Sequence, residues 1–452
     1  MIKILVTLGP ASQSEEVIEK LASYNVLFRL NGSHSDLEWH RQTVEKIRRI
    51  ARDAFILLDV PGVKPRTANT DFIDIKKGQQ VIFGESDFST QVLEIPLTKP
   101  LPSISSSKNF FSVNDGQYLF KTVKSGKNFL IGESQSEFRL FPKKGVNVPN
   151  SIYDEQRQLE IYTDFIQEVH GLDIDGLGLS FVQTNELIKN VRKMVPNLVL
   201  VSKIENSEGL RNCREIIGSS DAVMIDRGDL AAEIGLPELF NSVVNISNET
   251  KSAGKPLIMA TENLETMMQR EIPSKSEVMS ISHSISIGAD CIMLSEETAV
   301  SQNGLSIVSW LDKYLEGTVP NSQATAVNLK DRKYPEIWKL TKHLEDFSFV
   351  LMSRSGYAIF DFMAVQSSSE VTVVTNSDKV IAITKLFSKK LNTIKFSVDE
   401  HTPIEIIWKI VEENKSSLFE NHDKVAAIFV SKYVKKARAN CITLFLKSDF
   451  SN

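Results

Sequence analysis

A lysine and a glutamate two residues apart, Lys203 and Glu205, close the apolar run Leu198-Val199-Leu200-Val201. The run reads as a buried parallel strand, and residues two apart on a strand point the same way. A cation beside an anion at a strand end suits metal-assisted chemistry on an anionic substrate. The same pattern also describes an ordinary surface ion pair, so the pair alone leaves both readings open. Its weight depends on what the other strand ends carry.

Those ends come into view once the short apolar runs are counted. They are Ile4–Leu8, Val26–Leu30, Phe55–Asp59, Gly176–Ser180, Leu198–Lys203, Asp221–Ile225, Pro256–Ala260 and Asp290–Leu294. Most are separated by helix-like segments, such as Ser14–Ser23, with Ser14 as N-cap, and Asp36–Arg52. Eight strands alternating with helices predict an α/β fold, a (β/α)8 TIM barrel, with its chemistry at the C-terminal strand ends.

Read together, those ends hold Gly9-Pro10-Ala11-Ser12, then Arg29-Leu30-Asn31-Gly32-Ser33-His34, then Asp59-Val60-Pro61-Gly62 with Arg66 beyond. The later ends hold Lys203 and Glu205, Arg227-Gly228-Asp229, Thr261-Glu262 and Ser295-Glu296-Glu297-Thr298. Scattered polar residues at strand ends usually only cap helices. A set with carboxylates for a hard divalent cation and basic groups for phosphate is rarer by chance.

Two further regions interrupt or follow the barrel pattern. Residues 67–148 contain short β-like pieces, such as Gln80–Phe83 and Asn128–Ile131, between Gly, Ser and Lys-Gly turns. They predict a small inserted β-barrel that lies over the mouth as a lid, with Ser103–Lys108 as a loop. After residue 325 the runs Phe347–Met352, Val371–Val374, Thr393–Phe396, Val425–Val430 and Ile442–Leu446 predict a C-terminal α/β domain. Its best helix spans Pro403–Leu418. The expected division is therefore 1–66 and 149–325 for the barrel, 67–148 for the insertion, and 326–452 for the last domain.

The composition fits a large globular core. Hydrophobic residues make up 42% of the 452 and charged residues 24%. The net charge of -5 argues against a nucleic-acid surface covering the protein, though not against a local basic pocket. Three scattered cysteines, Cys213, Cys291 and Cys441, predict reduced thiols and a cytoplasmic protein. The N-terminal apolar run is too short for a signal peptide, and no run of about 18 apolar residues predicts a membrane helix.

In order and spacing, several segments resemble the pyruvate kinase family. They are Val6–Ser12, Arg29–His34, Lys143–Pro149, Ser202–Asn206, Asp226–Leu230 and Gly288–Ser295. The resemblance implies phosphoryl transfer from phosphoenolpyruvate to ADP, giving pyruvate and ATP in glycolysis, with a homo-oligomer, a tetramer in the family. It implies Glu205 and Asp229 as Mg2+ ligands and Lys203 as the group stabilising the moving phosphoryl charge. It implies Arg29 and Arg66 on the phosphoryl group and the Gly228 amide on the substrate carboxylate. Thr261, with Ser295 through water, would deliver a proton to the enolate. Pro10, Asn31, His34, Arg66 and Lys144 would meet the nucleotide. Thr261 also fits a plain cap, His34 a structural histidine, and Lys144 a surface lysine on the insertion hinge.

The chain departs from the family at a cluster of positions. Asn31, Ser33 and Asp59 match its monovalent-cation ligands, but Val60 stands where threonine is usual, leaving a vestigial site. Lys64 replaces the glutamate of potassium-dependent members, so no K+ requirement is expected. Pro61 and Val300 replace lysines, Glu296 a glycine and Glu262 a glutamine, mostly on the nucleotide side. Pro273–Glu277, which in the family reaches subunit contacts, matches only loosely. Arg354-Ser355-Gly356 resembles half of a sugar-phosphate effector loop; the Gly-rich tryptophan-containing half is missing, so no activation by fructose 1,6-bisphosphate is expected. Two other readings compete: a catalytically weak metabolite-binding or regulatory paralogue, and a Mg2+-dependent lyase acting on pyruvate or phosphoenolpyruvate.

Overall fold

The computed structural model of the chain describes residues 1–24, 26–85, 92–103, 109–114, 116–317, 335–344, 346–365, 370–396, 404–429 and 440–450. The first three strands are β1 (Lys3–Thr7), β2 (Leu27–Asn31) and β3 (Ile56–Val60). An insertion follows, with β4 (Ile73–Ile75), β5 (Gln80–Gly84), β6 (Leu93–Ile95), β7 (Phe110–Val113), β8 (Tyr118–Ser125), β9 (Phe129–Ser134), β10 (Phe138–Leu140) and β11 (Val146–Asn147). The next five are β12 (Gly176–Leu179), β13 (Val199–Ile204), β14 (Ala222–Asp226), β15 (Leu257–Ala260) and β16 (Cys291–Leu294). All eight runs read from the sequence are strands. They close in the order β1-β16-β15-β14-β13-β12-β3-β2, every pairing parallel.

Strand alternation divides the barrel's apolar residues into two sets. Ile4, Val6, Phe28, Leu30, Ile56, Leu58 and Leu200 belong to the layer beneath the surrounding helices. Leu5, Leu27, Leu57, Val201, Met224, Ile258 and Met293 belong to a second core that continues into the C-terminal unit. That unit is a five-stranded sheet of β17 (Ser348–Met352), β18 (Val371–Thr375), β19 (Leu391–Lys395), β20 (Lys424–Phe429) and β21 (Cys441–Leu446). Its order is β19-β18-β17-β20-β21, with only β21 antiparallel. It meets the N-terminal strand ends: Ser388 Oγ donates to Asp290 Oδ1 at 2.8 Å, and the Met1 amine donates to the Ser388 carbonyl. The opposite end of the barrel carries the polar strand termini.

The insertion forms a six-stranded sheet, β11-β7-β8-β9-β5-β6, and a two-stranded one, β10-β4. Both sheets contribute to one core around Phe83, Phe111, Phe120 and Leu140. Ser14 caps its helix as the sequence suggests, and Asp36 caps the next one, each accepting a backbone N–H.

One expected helix differs. Within Pro403–Leu418 the chain forms two helices, Ile404–Glu413 and Lys415–Leu418, broken at Asn414. The Asn414 side-chain amide donates to the Ile410 carbonyl at 2.8 Å, sharing it with the Asn414 backbone N–H at 3.2 Å, a local side-chain bond that asparagine favours at helix ends. Pro403, the expected break at 325 and residues 104–108 of the expected loop lie outside the described residues.

Candidate functional site at the barrel mouth

On five of the eight strands the inward face of the barrel turns polar at its last position. Two residues beyond Leu5, Leu27, Leu57, Val201 and Met224 stand Thr7, Arg29, Asp59, Lys203 and Asp226. All five are buried. A buried charge is tolerated only when it is paired, and these charges pair with one another.

Asp59 sits at the centre. Its Oδ2 accepts from Arg29 Nε and Nη2 at 3.0 and 2.8 Å and lies 3.3 Å from Lys203 Nζ. Arg29 Nη1 donates to Thr7 Oγ1 at 2.9 Å, and Thr7 Oγ1 donates to the Leu294 carbonyl at 2.8 Å. The guanidinium is thus fixed at every strand it touches. Burial alone would raise the Asp59 pKa; Arg29 and Lys203 outweigh it and hold the carboxyl below its usual value. Gly178 on β12 makes this possible, because a Cβ there would come within 2.0 Å of Asp59 Oδ1. That Oδ1 is itself buried without a hydrogen-bond partner among the described residues.

Lys203 extends the network. Its Nζ is 2.7 Å from Glu205 Oε1, 3.9 Å from Asp226 Oδ2 and 3.4 Å from Ser180 Oγ. Burial works against its charge, but Glu205, Asp59 and Asp226 more than offset it, so the ammonium pKa is raised. The Glu205 carboxyl also shifts upward, through burial and the nearby Asp226 and Asp229. Its Oε2 accepts the Phe181 backbone N–H at 2.6 Å.

One oxygen from each of Glu205, Asp226 and Asp229 lies within 4.8 Å of the others. Three crowded carboxylates fit a hard divalent cation that also binds substrate oxygens. Glu205 and Asp229 are the expected pair; Asp226 is a third that the sequence reading passed over. Its signal was available, since it ends the apolar run Ala222–Ile225 just as Asp59 ends its own run. Lys64, buried on the loop after β3, forms an ion pair with Asp229.

Thr261 and Glu262, after β15, have left-handed φ values of 58° and 53°. Arg227 holds this turn. Its guanidinium donates to the carbonyls of Ala260, Thr261 and Glu262 and to Asn263 Oδ1. Thr261 Oγ1 accepts the Gly228 N–H at 3.0 Å and faces Asp226 Oδ1 at 3.1 Å and the Ala260 carbonyl at 2.8 Å. Thr261 is therefore wired to Gly228 in the first turn of the Arg227–Ile234 helix and to Asp226, that helix's N-cap.

The other expected residues lie around this centre. Ser33 N–H donates to Asn31 Oδ1 at 3.0 Å, and Val60 is fully buried. Pro10 follows Gly9, whose backbone lies against Ala299, and Ser295 N–H donates to Glu297 Oε2 at 2.6 Å. Burial pushes the Glu297 carboxyl up to about 7. His34 lies close enough to Arg66, Arg29 and Lys143 for partial burial and those cations to lower its pKa. Arg66 and Lys144 stand where the chain enters and leaves the insertion, beside the bridge between Arg66 and Gly145. Arg66 Nη1 donates to the Lys143 carbonyl at 3.2 Å, and Lys144 N–H donates to Thr67 Oγ1 at 3.1 Å. Glu262 and Glu296 lie near Glu265, whose pKa rises through burial and then through those two charges.

Glu233, one turn beyond Asp229, also went unnoticed in the sequence. It is fully buried, and burial pushes its carboxyl up to about 8 despite hydrogen bonds from Tyr153 and Asn147.

Residues 1–307 match the family model described as the pyruvate kinase barrel domain. The chain belongs to the pyruvate kinase family. The pyruvate kinase of Thermococcus litoralis is 32% identical over 332 residues, covering 70% of this chain and 69% of that protein. That of Encephalitozoon cuniculi is 32% identical over 321 residues, covering 69% and 74%. The cytosolic isozyme of Nicotiana tabacum is 32% identical over 317 residues, covering 66% and 62%. The interrupted barrel is thus the pyruvate kinase barrel. No helix among the described residues is long and apolar enough to cross a membrane.

Proposed function

We propose that the protein transfers the phosphoryl group of phosphoenolpyruvate to ADP, giving pyruvate and ATP as a cytoplasmic step of glycolysis. The observation that carries this reading is Lys203: a buried ammonium on the barrel axis side, within 3.9 Å of three carboxylates, two of which belong to a metal-sized cluster.

Phosphoryl transfer depends on positioning and on charge stabilisation more than on covalent help from the protein. Arg29, pre-set by Asp59 and Thr7, would hold phosphoryl oxygens without reorganising. Arg66, at the hinge, would add a second guanidinium as the insertion closes. Lys203 keeps its proton and would neutralise charge on the phosphoryl group in transit and on the enolate left behind. The Gly228 N–H would seat the substrate carboxylate. Glu205 and Asp229, with Asp226, would hold Mg2+, which when bound supplies Lewis-acid neutralisation of substrate oxygens. The Thr261 hydroxyl faces Asp226 and the Ala260 carbonyl, so it would pass a proton through a relay, with Ser295 and water completing it.

On the nucleotide side, Pro10, Asn31, His34 and Lys144 would line the ADP subsite. The monovalent-cation residues Asn31, Ser33, Asp59 and Val60 would not need K+, because Lys64 already places an ammonium against Asp229. An exposed apolar face of Leu236, Phe240, Ile272 and Met279 would pair copies of the chain in a homo-oligomer. A second reading, a weak catalyst that binds metabolites, is favoured by one observation: Glu262, Glu265 and Glu296 gather where a lysine would help an anionic nucleotide, and Val300 is apolar and exposed. A coupled assay with phosphoenolpyruvate, Mg2+ and a panel of nucleoside diphosphates tests the first reading. Turnover with at least one of them supports it; binding of phosphoenolpyruvate without turnover supports the second.

A further inference from the structure

The segment that returns the insertion to the barrel, Asn147–Tyr153, is fastened through one residue, Glu233, to the helix that carries Gly228 and Asp229 (Arg227–Ile234). Glu233 Oε1 accepts both Asn147 Nδ2 at 3.2 Å and Tyr153 Oη at 3.0 Å. The Glu233 carbonyl accepts Asn150 N–H at 3.3 Å and Ser207 Oγ at 3.3 Å. Asn147 and Glu233 have no exposed surface and Tyr153 almost none. Oε2 of Glu233 has no hydrogen-bond partner among the described residues.

Two more contacts join the same parts. Gly116, in the insertion, packs over this helix so closely that a Cβ would lie 3.4 Å from Ala232 Cβ. Through Phe181, Tyr153 also connects to Glu205, another carboxylate of the cluster. Its backbone pairs with the Gln183 side chain at 2.9 and 3.0 Å. Its ring meets Phe181 edge-on at 5.3 Å, and the Phe181 N–H holds Glu205.

We propose that Glu233 is a positioning residue that locks the insertion's return segment to the Asp229 helix, so that the placement of the insertion and the spacing of the carboxylate cluster are set together. A neutral glutamine keeps an acceptor oxygen for Tyr153 and Asn147; a leucine of similar volume keeps neither bond. The metal half of the proposal rests on the proposed function; the mechanical half does not.

The test measures amide hydrogen exchange across the full chain, and Mn2+ affinity by electron paramagnetic resonance, in the parent, Glu233→Gln, Glu233→Leu and Tyr153→Phe. Loss of a buried hydrogen bond and of metal-ligand support predicts changes of about tenfold in each readout. Glu233→Leu is expected to exchange about tenfold faster in both 145–153 and 227–234 and to bind Mn2+ about tenfold more weakly, with Glu233→Gln close to the parent. Tyr153→Phe, which loses one hydroxyl, shifts the same readouts less and decides the matter if the leucine variant does not fold. Unchanged exchange in both segments, or a glutamine variant as loose as the leucine one, overturns the proposal. A parent that binds no Mn2+ counts against the proposed function alone, and the exchange result still decides whether Glu233 couples the two segments.

Discussion

Lys203 Nζ and Glu205 Oε1 lie 2.7 Å apart at the end of β13, both buried. The two-residue period of a strand brings them to one side, and Asp59 and Asp226 keep the ammonium from folding back toward solvent. Held between anions, Lys203 is charged before substrate arrives. The cost of ordering it is met in folding, not in the reaction, which is the arrangement that charge stabilisation in a transition state requires.

Turnover is expected to be independent of potassium. Lys64 is buried against Asp229, and a second cation about 4 Å from its ammonium would be repelled by about 4 kcal/mol at an effective dielectric of 20. Rates in potassium, sodium and tetramethylammonium buffers should agree within about twofold, and Lys64→Glu should acquire a potassium requirement. Strong stimulation of the parent by potassium would contradict this.

Arg227→Met is expected to destabilise the fold by about 2–4 kcal/mol, because it strips a donor from the buried Ala260 carbonyl and from buried Asn263 Oδ1 and leaves Thr261 and Glu262 left-handed without support. Arg227→Lys should recover little of this, since the site uses a planar fork. Urea unfolding checks both, and a midpoint unchanged in either variant would remove Arg227 from its role in the turn.

Most of the barrel could be read from the sequence because each strand centres on a short, mostly apolar run, and five of the eight end their inward face on a polar residue. The mouth was legible to the same extent. Arg29, Asp59 and Lys203 follow from the strand ends, as does the neighbourhood of Thr261. Asp226 was missed by starting its strand end one residue late. The Lys64–Asp229 pair and the Glu233 lock join residues 165 and 86 positions apart in the chain. Only the closed barrel and the packing of the insertion bring them together, and no local period encodes that. The break at Asn414 was hidden for the opposite reason: a side-chain hydrogen bond ended a helix whose apolar spacing continues.

Lys389, in the C-terminal unit, has its Nζ buried without a hydrogen-bond partner among the described residues, 5.6 Å from the centre of the Phe362 ring. Burial lowers its pKa from 10.5 to about 8. Between those values the unfolded chain binds more protons than the folded one, so stability rises with pH across the window and the penalty is fully present below about pH 8. Denaturant unfolding of the parent should show that rise, and Lys389→Met should flatten it. Equal slopes in the two proteins would contradict the assignment.

Leu236 and Phe240 at the start of one helix, Met279 on another and Ile272 between them are 76%, 62%, 68% and 70% exposed. Phe240 and His283 bring the two helices together, with ring centres 5.1 Å apart. Phe240→Asp combined with Met279→Asp should lower the mass seen by sedimentation velocity while leaving the circular dichroism spectrum unchanged. A parent that already sediments as a monomer would refute the pairing of copies through this face.

The role of Lys203 is tested most directly by single-turnover phosphoryl transfer and phosphoenolpyruvate affinity, measured side by side in the parent and Lys203→Met. If Lys203 acts on charge that develops during transfer, the rate falls by at least about a thousandfold while the dissociation constant of phosphoenolpyruvate stays within about tenfold. A variant that retains most of the parent's transfer rate, or that loses affinity and rate in equal proportion, would contradict the account.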